Sequence, residues 1–130
     1  MEPVAAHMSG DLLTVTPDDV LGDVVVRMAE RNVGAVLVLD GARLTGILTE
    51  RDILRAVAAG LDFTTTPVSS RMTHSPDTIE STDSVEQAAV LMIHGGFRHL
   101  PVVEGGAPVG ILSIRDLVRV ALVDTAPRGA

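Results

Sequence analysis

Displaced by 64 residues, the chain lies on itself. Residues 8–54 fall on 72–118 without a gap, with 12 identities in 47 positions. Met8 meets Met72, Thr14 meets Thr78, Asp19 meets Asp83, Val26 meets Val90 and Met28 meets Met92. Further along, Val38 meets Val102 and Gly41 meets Gly105. Gly46-Ile47-Leu48 then meets Gly110-Ile111-Leu112, and Arg51-Asp52 meets Arg115-Asp116. A gapless match of that length marks a tandem duplication, so one supersecondary pattern must be used twice. With 130 residues in all, the chain makes one compact domain or two small units sharing a core. A single copy, under about 60 residues, is marginal alone. Two copies packed together give a pseudo-symmetric core, and the cleft between related sheets is the natural place for a ligand.

Each copy reads as strand, helix, strand, strand, helix. In copy one, residues 13–16 are extended, and Leu21, Val24, Val25 and Met28 recur at the spacing of one helical face. Asp18 or Asp19 is the expected N-cap. Residues 35–39 are a continuous apolar run, Asp40-Gly41 signals a tight turn, and residues 44–48 return as the second strand. A last helix covers about 50–59 and stops at Gly60. Copy two repeats the plan: Ser84 and Gln87 form a capping box ahead of Val85, Ala88, Ala89 and Met92. Gly95-Gly96 ends that helix. Strands over 99–103 and 109–113 flank Glu104-Gly105-Gly106, and a helix follows over 114–123. The expected organisation is copy one at 8–60, a linker at 61–71, copy two at 72–123 and a frayed tail at 124–130.

Composition narrows the function. Apolar residues make up 46% and charged residues 21%, a globular rather than disordered balance. No apolar run approaches the ~18–20 residues of a membrane span. The N-terminus lacks the charged and apolar regions of a secretory signal, so a cytoplasmic location is expected. The absence of Cys excludes disulfides, thiolate metal sites and cysteine nucleophiles. Seventeen acidic residues against ten basic ones, net −7, disfavour nucleic acid and anionic membranes. All ten basic residues are Arg, which removes Schiff-base and Walker-type lysines. The only aromatic residues of the Phe, Tyr and Trp class are Phe63 and Phe97, so a bound base must lie between aliphatic side chains.

The sharpest local feature is Gly46-Ile47-Leu48-Thr49-Glu50-Arg51-Asp52, echoed by Gly110-Ile111-Leu112-Ser113-Ile114-Arg115-Asp116. Each places a hydroxyl at a strand-to-helix junction and an Asp three residues on. Two readings are open. The pair can be a helix cap. It can also be a binding site, in which the helix N-terminus and hydroxyl receive a phosphate and the carboxylate accepts the hydroxyls of a ribose. Arg51 and Arg115 fit an ion pair as well as a phosphate, while Arg27, Arg31, Arg43 and Arg55 read as solvated. No histidine spacing suggests a metal site, and no Gly-x-Ser-x-Gly elbow or paired acid marks catalysis. Met28 and Met92 read as core.

The two motifs, with Arg98-His99-Leu100-Pro101-Val102-Val103 ahead of the second turn, resemble the tandem CBS domain, or Bateman module, over about residues 8–120. The resemblance implies an α/β fold of two pseudo-twofold-related β-α-β-β-α repeats packed through their sheets. It also implies clefts that bind adenosine ligands without catalysis: AMP, ADP or ATP, with S-adenosylmethionine or NAD as further candidates. By the family pattern one site would use Ile47, Thr49 and Asp52 with Thr78, Ile79, Phe97, Arg98 and His99. The other would use Ile111, Ser113 and Asp116 with Thr14, Val15, Val33, Gly34 and Ala35. The Asp would hold the ribose, and the hydroxyl would meet ribose or phosphate.

Arg98 and His99 stand where copy one has only Gly34 and Ala35, so the Asp52 site is expected to favour phosphate. The chain departs from the family pattern at Leu37, which replaces the Pro found at 101, and in the bare Val33-Gly34-Ala35 segment. The resulting expectation is a stand-alone regulatory sensor, not an enzyme, acting on an unknown effector protein. It should form a homodimer through apolar helix faces carrying Leu21, Val24, Val25 and Met28 and, in copy two, Val85, Ala88, Ala89 and Met92. The alternative is a docking module with vestigial clefts.

Overall fold

The computed structural model describes residues 2–125, with side chains through 122. The elements are β1 (Thr14–Val15), α1 (Leu21–Arg31), β2 (Ala35–Asp40), β3 (Arg43–Thr49), α2 (Glu50–Ala58), β4 (Thr73–His74), β5 (Ile79–Glu80), α3 (Val85–Gly95), β6 (His99–Glu104), β7 (Ala107–Ser113) and α4 (Ile114–Thr125). Single 3-10 turns occupy Val4–Ala6 and Val68–Ser70. The class is mixed α/β, and both copies show the expected strand-helix-strand-strand-helix order. Helix α4 continues to Thr125, two residues past its expected end. The remainder of the expected tail, 126–130, lies outside the described residues.

The chain forms two compact units. One is Asp11–Pro76, and the other joins the residues up to Gly10 to those from Asp77 onward. Each unit therefore contains the body of one copy and the opening segment of the other. In the first, β1 pairs parallel with β2, β2 antiparallel with β3, and β3 antiparallel with β4, giving the order β1-β2-β3-β4. The second has the order β5-β6-β7. Its counterpart of β4 is reduced to one antiparallel bridge between Ser9 and Ile111, with a hydrogen bond in each direction of 2.9 and 3.0 Å.

The stretch 61–71 is thus more than a tether. Val68 is fully buried, its amide donates to the Asp19 carbonyl at 2.8 Å, and Val20 bridges Pro67. The same arrangement recurs 64 residues earlier: Val4 is fully buried, its amide donates to the Asp83 carbonyl at 2.7 Å, and Pro3 bridges Ser84.

The helices cover one face of each sheet. Leu21, Val24 and Met28 of α1 pack with Val36, Val38 and Leu48 in the first unit. Ala88 and Met92 of α3 pack with Leu100, Val102 and Leu112 in the second. The side-chain alternation of the strands follows the two-residue period of extended chain. These contacts correct an expectation: the faces carrying Leu21, Val24 and Met28, or Val85, Ala88 and Met92, are buried within their own units and are not available to a partner. The large apolar side chains left exposed lie elsewhere, at Val26, Leu54, Val57, Val90, Leu91, Ile93, Ile114, Val118 and Leu122.

Helix starts differ between copies. Neither Asp18 nor Asp19 caps α1; the N-cap is Val20, without a side-chain bond. The free amides of Leu21 and Gly22 donate instead to the carbonyls of Thr66 and Phe63, both at 2.9 Å. Asp19 turns back to accept from the Thr16 amide at 2.9 Å. A backbone loop has therefore replaced the side-chain cap. Helix α3 has the expected Ser84–Gln87 capping box. The loop that supplies those carbonyls is braced by Asp62, which accepts from the Thr64 hydroxyl at 2.6 Å and amide at 2.9 Å. These two bonds, the hydroxyl first, hold the Asp62 carboxyl below its ordinary 3.8. The turn joining β6 to β7 uses Gly105 and Gly106, at φ 56° and 86°, where side chains are strained.

The motif glycines serve the exchanged segments. A Cβ at Gly46 would collide with the side chain of Met72, and one at Gly110 with that of Met8. At Gly110 it would also approach the Ser9 carbonyl oxygen to 2.8 Å, and backbone cannot swing away as a thioether can. Gly110→Ala is therefore expected to cost about 1–3 kcal/mol by overpacking, and Gly46→Ala clearly less. Urea unfolding of the two variants measures the order. A second prediction concerns acid. A carboxyl with a depressed folded pKa stabilises above its unfolded value and loses that contribution as pH falls. The stability difference between the wild type and Asp62→Ala should accordingly shrink as pH drops through and below 3.8, as pH-dependent thermal melts would record.

Candidate functional site

Each unit ends its central hairpin in the same junction. Strand β3 runs into α2 at Thr49, and the Asp52 carboxylate Oδ2 accepts from the Thr49 amide at 2.9 Å and hydroxyl at 3.1 Å. The Asp52 amide in turn donates to the Thr49 hydroxyl at 3.5 Å. At the start of α4, Asp116 Oδ2 accepts from the Ser113 amide at 2.8 Å and hydroxyl at 3.0 Å, while the Asp116 amide donates to the hydroxyl at 3.2 Å. Two independent copies of one geometry, all four residues half-buried, show that the spacing of three is what the junction requires. Both readings of the motif share this geometry, because a capping pair is also a hydroxyl and a carboxylate fixed at a helix start.

Only one carboxylate oxygen takes part. Oδ1 of Asp52 has no hydrogen-bond partner among the described residues, and Oδ1 of Asp116 lies 3.7 Å from Arg119. An ionised carboxylate is acceptor-only with room for further donors on both oxygens, which suits a vicinal diol. The helix start favours negative charge nearby through its dipole, although the amides of Glu50 and Asp52, and of Ile114 and Asp116, are already engaged.

Strand pairing brings a second segment to each junction. Ala35 pairs with Thr49, and the Glu50 amide donates to the Gly34 carbonyl at 3.0 Å. In the other unit His99 pairs with Ser113, and the Ile114 amide donates to the Arg98 carbonyl at 2.9 Å. Within its own unit, then, the β2 start meets Thr49 and Asp52, and the β6 start meets Ser113 and Asp116. Arg98 is exposed, and Phe97 and His99 are half-buried.

The remaining expected residues divide by sheet face. Val15 and Ile79 are core residues of their units, and Val33 and Phe97 pack against those cores. Ile47 and Ile111 lie one residue from the core positions Leu48 and Leu112, on the opposite sheet face. Thr14 lies in β1, with its carbonyl accepting from Arg27 at 3.2 Å. Thr78 is exposed and borders a groove with Ile79, Pro3, Asp83, Val90 and Leu91. Arg27 and Arg31 are not simply solvated, since they pair with Asp19 and Asp11. Among the described residues no group of three His, Asp or Glu side chains could hold a metal ion.

The methionines and motif glycines are the functional residues that sequence reading undervalued. Met8, Met72, Gly46 and Gly110 stood out as repeat identities. The signal was their pairing across the repeat, since each Met packs on the motif glycine of the other copy.

The chain belongs to the CBS-domain family: residues 4–59 and 68–123 each match the CBS domain. The two matches are offset by 64 residues, the displacement of the internal repeat. The chain is 36% identical over 118 residues to the CBS domain-containing protein YhcV of Bacillus subtilis, covering 90% of this chain and 84% of that one. It is similar to a CBS domain protein from Pyrobaculum aerophilum complexed with AMP, with 32% identity and TM-score 0.85 over 96% of this chain and 98% of that one. It is also similar to CBSX2 in complex with AMP, with 28% identity and TM-score 0.77 over 94% and 97% of the two chains. It spans 66% of an Acidianus ambivalens relative and 19% of the length of several Arabidopsis thaliana CBS domain-containing proteins.

The cap function of the junction is directly measurable. Thr49→Ala and Ser113→Ala are each expected to lose about 1 kcal/mol, typical of a lost N-cap. Chemical denaturation gives the size. A loss near zero in both would mean that the pair owes nothing to helix capping.

Proposed function

We propose that this chain is a non-catalytic sensor of adenosyl ligands, with AMP, ADP or ATP as the first candidates and S-adenosylmethionine or NAD as others. The observation that carries the reading is the duplicated hydroxyl–carboxylate pair, in which Asp Oδ2 is engaged by the junction, Asp52 Oδ1 has no partner among the described residues, and Asp116 Oδ1 has only Arg119 at 3.7 Å. In this reading Asp52 and Asp116 accept from ribose hydroxyls, and Thr49 and Ser113 meet ribose or phosphate. Arg98 and His99 add the cationic and donor groups suited to phosphate. The aliphatic side chains Ile47, Ile111 and Val33 take the place of aromatic platforms around adenine. AMP bound to relatives of 32% and 28% identity supports this ligand class.

Occupancy has to be read by something else, since a binder without chemistry acts only through its conformational equilibrium. The exposed apolar side chains of α2, α3 and α4 are suited to a second copy of the chain or an effector protein. No helix among the described residues is long and apolar enough to cross a membrane, and a cytoplasmic setting remains part of the proposal. The same exposed faces favour the second reading, a docking module whose adenosyl sites are empty.

A thermal-shift panel with AMP, ADP, ATP, NAD and S-adenosylmethionine separates the two. A ligand that binds only the folded chain stabilises it by RT ln(1 + [L]/Kd), about 2.7 kcal/mol at 100 times Kd. We expect a rise of several degrees with at least one nucleotide, diminished in Asp52→Ala or Asp116→Ala. With no Trp or Tyr, co-purified nucleotide would show as excess absorbance at 260 nm. No shift from nucleotide-free protein would favour the docking module.

A further inference from the structure

Arg27 of α1 and Leu91 of α3 hold equivalent positions, and the difference between them opens a groove in the second unit. In the first unit the Arg27 guanidinium spans two acceptors with two separate nitrogens. One donates to the Thr14 carbonyl at 3.2 Å, and the other lies 3.9 Å from the Asp19 carboxylate. That carboxylate is itself held in place, because it accepts from the Thr16 amide at 2.9 Å. The second unit repeats the acceptor half. Strand β5 keeps with β6 the register that β1 keeps with β2, and the Asp83 carboxylate accepts from the Glu80 amide at 3.0 Å. The donor half is missing: residue 91 is Leu, and no cation pairs with Asp83 among the described residues. Thr78, Asp83, Val90 and Leu91 instead border an open groove of about 870 Å³.

A second difference adds to the charge of this groove. Gly22 of α1 lies against the loop ahead of Thr66, where a Cβ would come to 3.0 Å from the Phe63 carbonyl oxygen. Its equivalent in α3 is Glu86, which is exposed, lines the groove and has no cationic partner among the described residues. The groove therefore sets the apolar side chains of Val90 and Leu91 beside two unpaired carboxylates, and none of its lining residues is basic.

We propose that this groove docks a segment of a partner protein through an arginine, whose guanidinium takes in trans the place that Arg27 fills in cis. A carbonyl and a carboxylate met by separate nitrogens suit the planar fork of Arg and not the single ammonium nitrogen of Lys. Free arginine would leave Val90 and Leu91 uncovered, whereas a segment with apolar residues beside its arginine covers them. The volume lies in the range of sites that hold a drug-sized molecule, so there is room for those neighbours. Thr78 and Ile79 also stand in the adenosyl reading, but Asp83, Glu86 and Leu91 do not. Docking here is thus independent of whether the junctions bind nucleotide. Because the acceptors are partly open to solvent, the contact should weaken as salt rises.

The capped tripeptide acetyl-Leu-Arg-Leu-amide is the probe, with its lysine and citrulline versions as controls. Citrulline keeps the shape of the fork and removes its charge. In an NMR titration at low salt, the arginine peptide should shift the amides of Glu80, Asp83 and Leu91 and leave those of Thr16, Asp19 and Arg27 in place. It should bind about fivefold more tightly than either control, in keeping with an exposed ion pair. Asp83→Asn, which keeps an acceptor for the Glu80 amide, should erase that preference. Leu91→Arg, which supplies the guanidinium internally, should abolish binding. Residue 91 is exposed and its equivalent is already Arg, so this variant should fold. No shifts at millimolar peptide, equal binding of the arginine and citrulline peptides, or unchanged binding in Leu91→Arg would each overturn the proposal. So would the same amides shifting with protein concentration alone and ceasing to do so in Leu91→Arg, since the occupant would then be a second copy of the chain.

Discussion

The reciprocal bond between a junction hydroxyl and the Asp three residues on is the interaction on which the rest depends. It ends a strand and starts a helix, so it sets the angle at which α2 and α4 return across their sheets. It also fixes a half-buried carboxylate at the helix start of each unit. Structural and binding roles need not compete for such a pair. Oδ2 is used internally, whereas Oδ1 of Asp52 is not, so one side chain has acceptor capacity for both. The same economy makes the motif hard to interpret from sequence alone, because a cap and a ribose-binding carboxylate demand the same residues at the same spacing.

Exchange of opening segments is the second constraint. Residues up to Gly10 complete the unit built from copy two, and the stretch ending at Pro76 completes the unit built from copy one. Val4 and Val68 are each fully buried, and each is followed four residues later by a methionine set over a motif glycine. A copy cut at the repeat boundary would keep its hairpin and helices. It would lose the carbonyls that satisfy its first helix and the side chain that fills the hollow at its glycine. The glycines are therefore placed for packing, as are Leu48 and Leu112 of the same motif. Gly46 and Gly110 need no unusual backbone angle, only the absence of a Cβ.

Much of this was legible in the sequence because duplication supplies an internal control. Element order, the Ser84–Gln87 box, the glycine stops at Gly60 and Gly96, and the hairpins all follow from local chemistry, and local chemistry decided them. What escaped was set by distant partners. Asp18 and Asp19 look like caps, yet the loop carbonyls of Phe63 and Thr66 take that role, and no local pattern encodes a cap supplied from so far along the chain. The stretch 61–71 has the composition of a linker, and the burial of Val68 depends on a segment exchange that periodicity does not reveal. The apolar faces of α1 and α3 were correctly read as apolar, but amphipathicity does not say which partner covers a face. Here it is the helix's own sheet.

Duplication also explains where asymmetry is tolerated. Positions that hold the fold, including Met8 and Met72, Gly46 and Gly110, Leu48 and Leu112, and Asp52 and Asp116, are identical in the two copies. Among the positions that differ, Gly34 and Arg98, Ala35 and His99, and Glu50 and Ile114 lie at the junctions. Arg27 and Leu91 form another such pair. The first spans to the Thr14 carbonyl and Asp19, while the second leaves a groove beside Thr78 and Asp83. Substitutions at such places cost little folding energy, since surface changes away from caps and cores are generally worth within ±0.5 kcal/mol. They alter charge and shape where a ligand or partner would be met. A duplicated scaffold with a shared capping pair can thus diversify what each half recognises without disturbing the bond that holds it open.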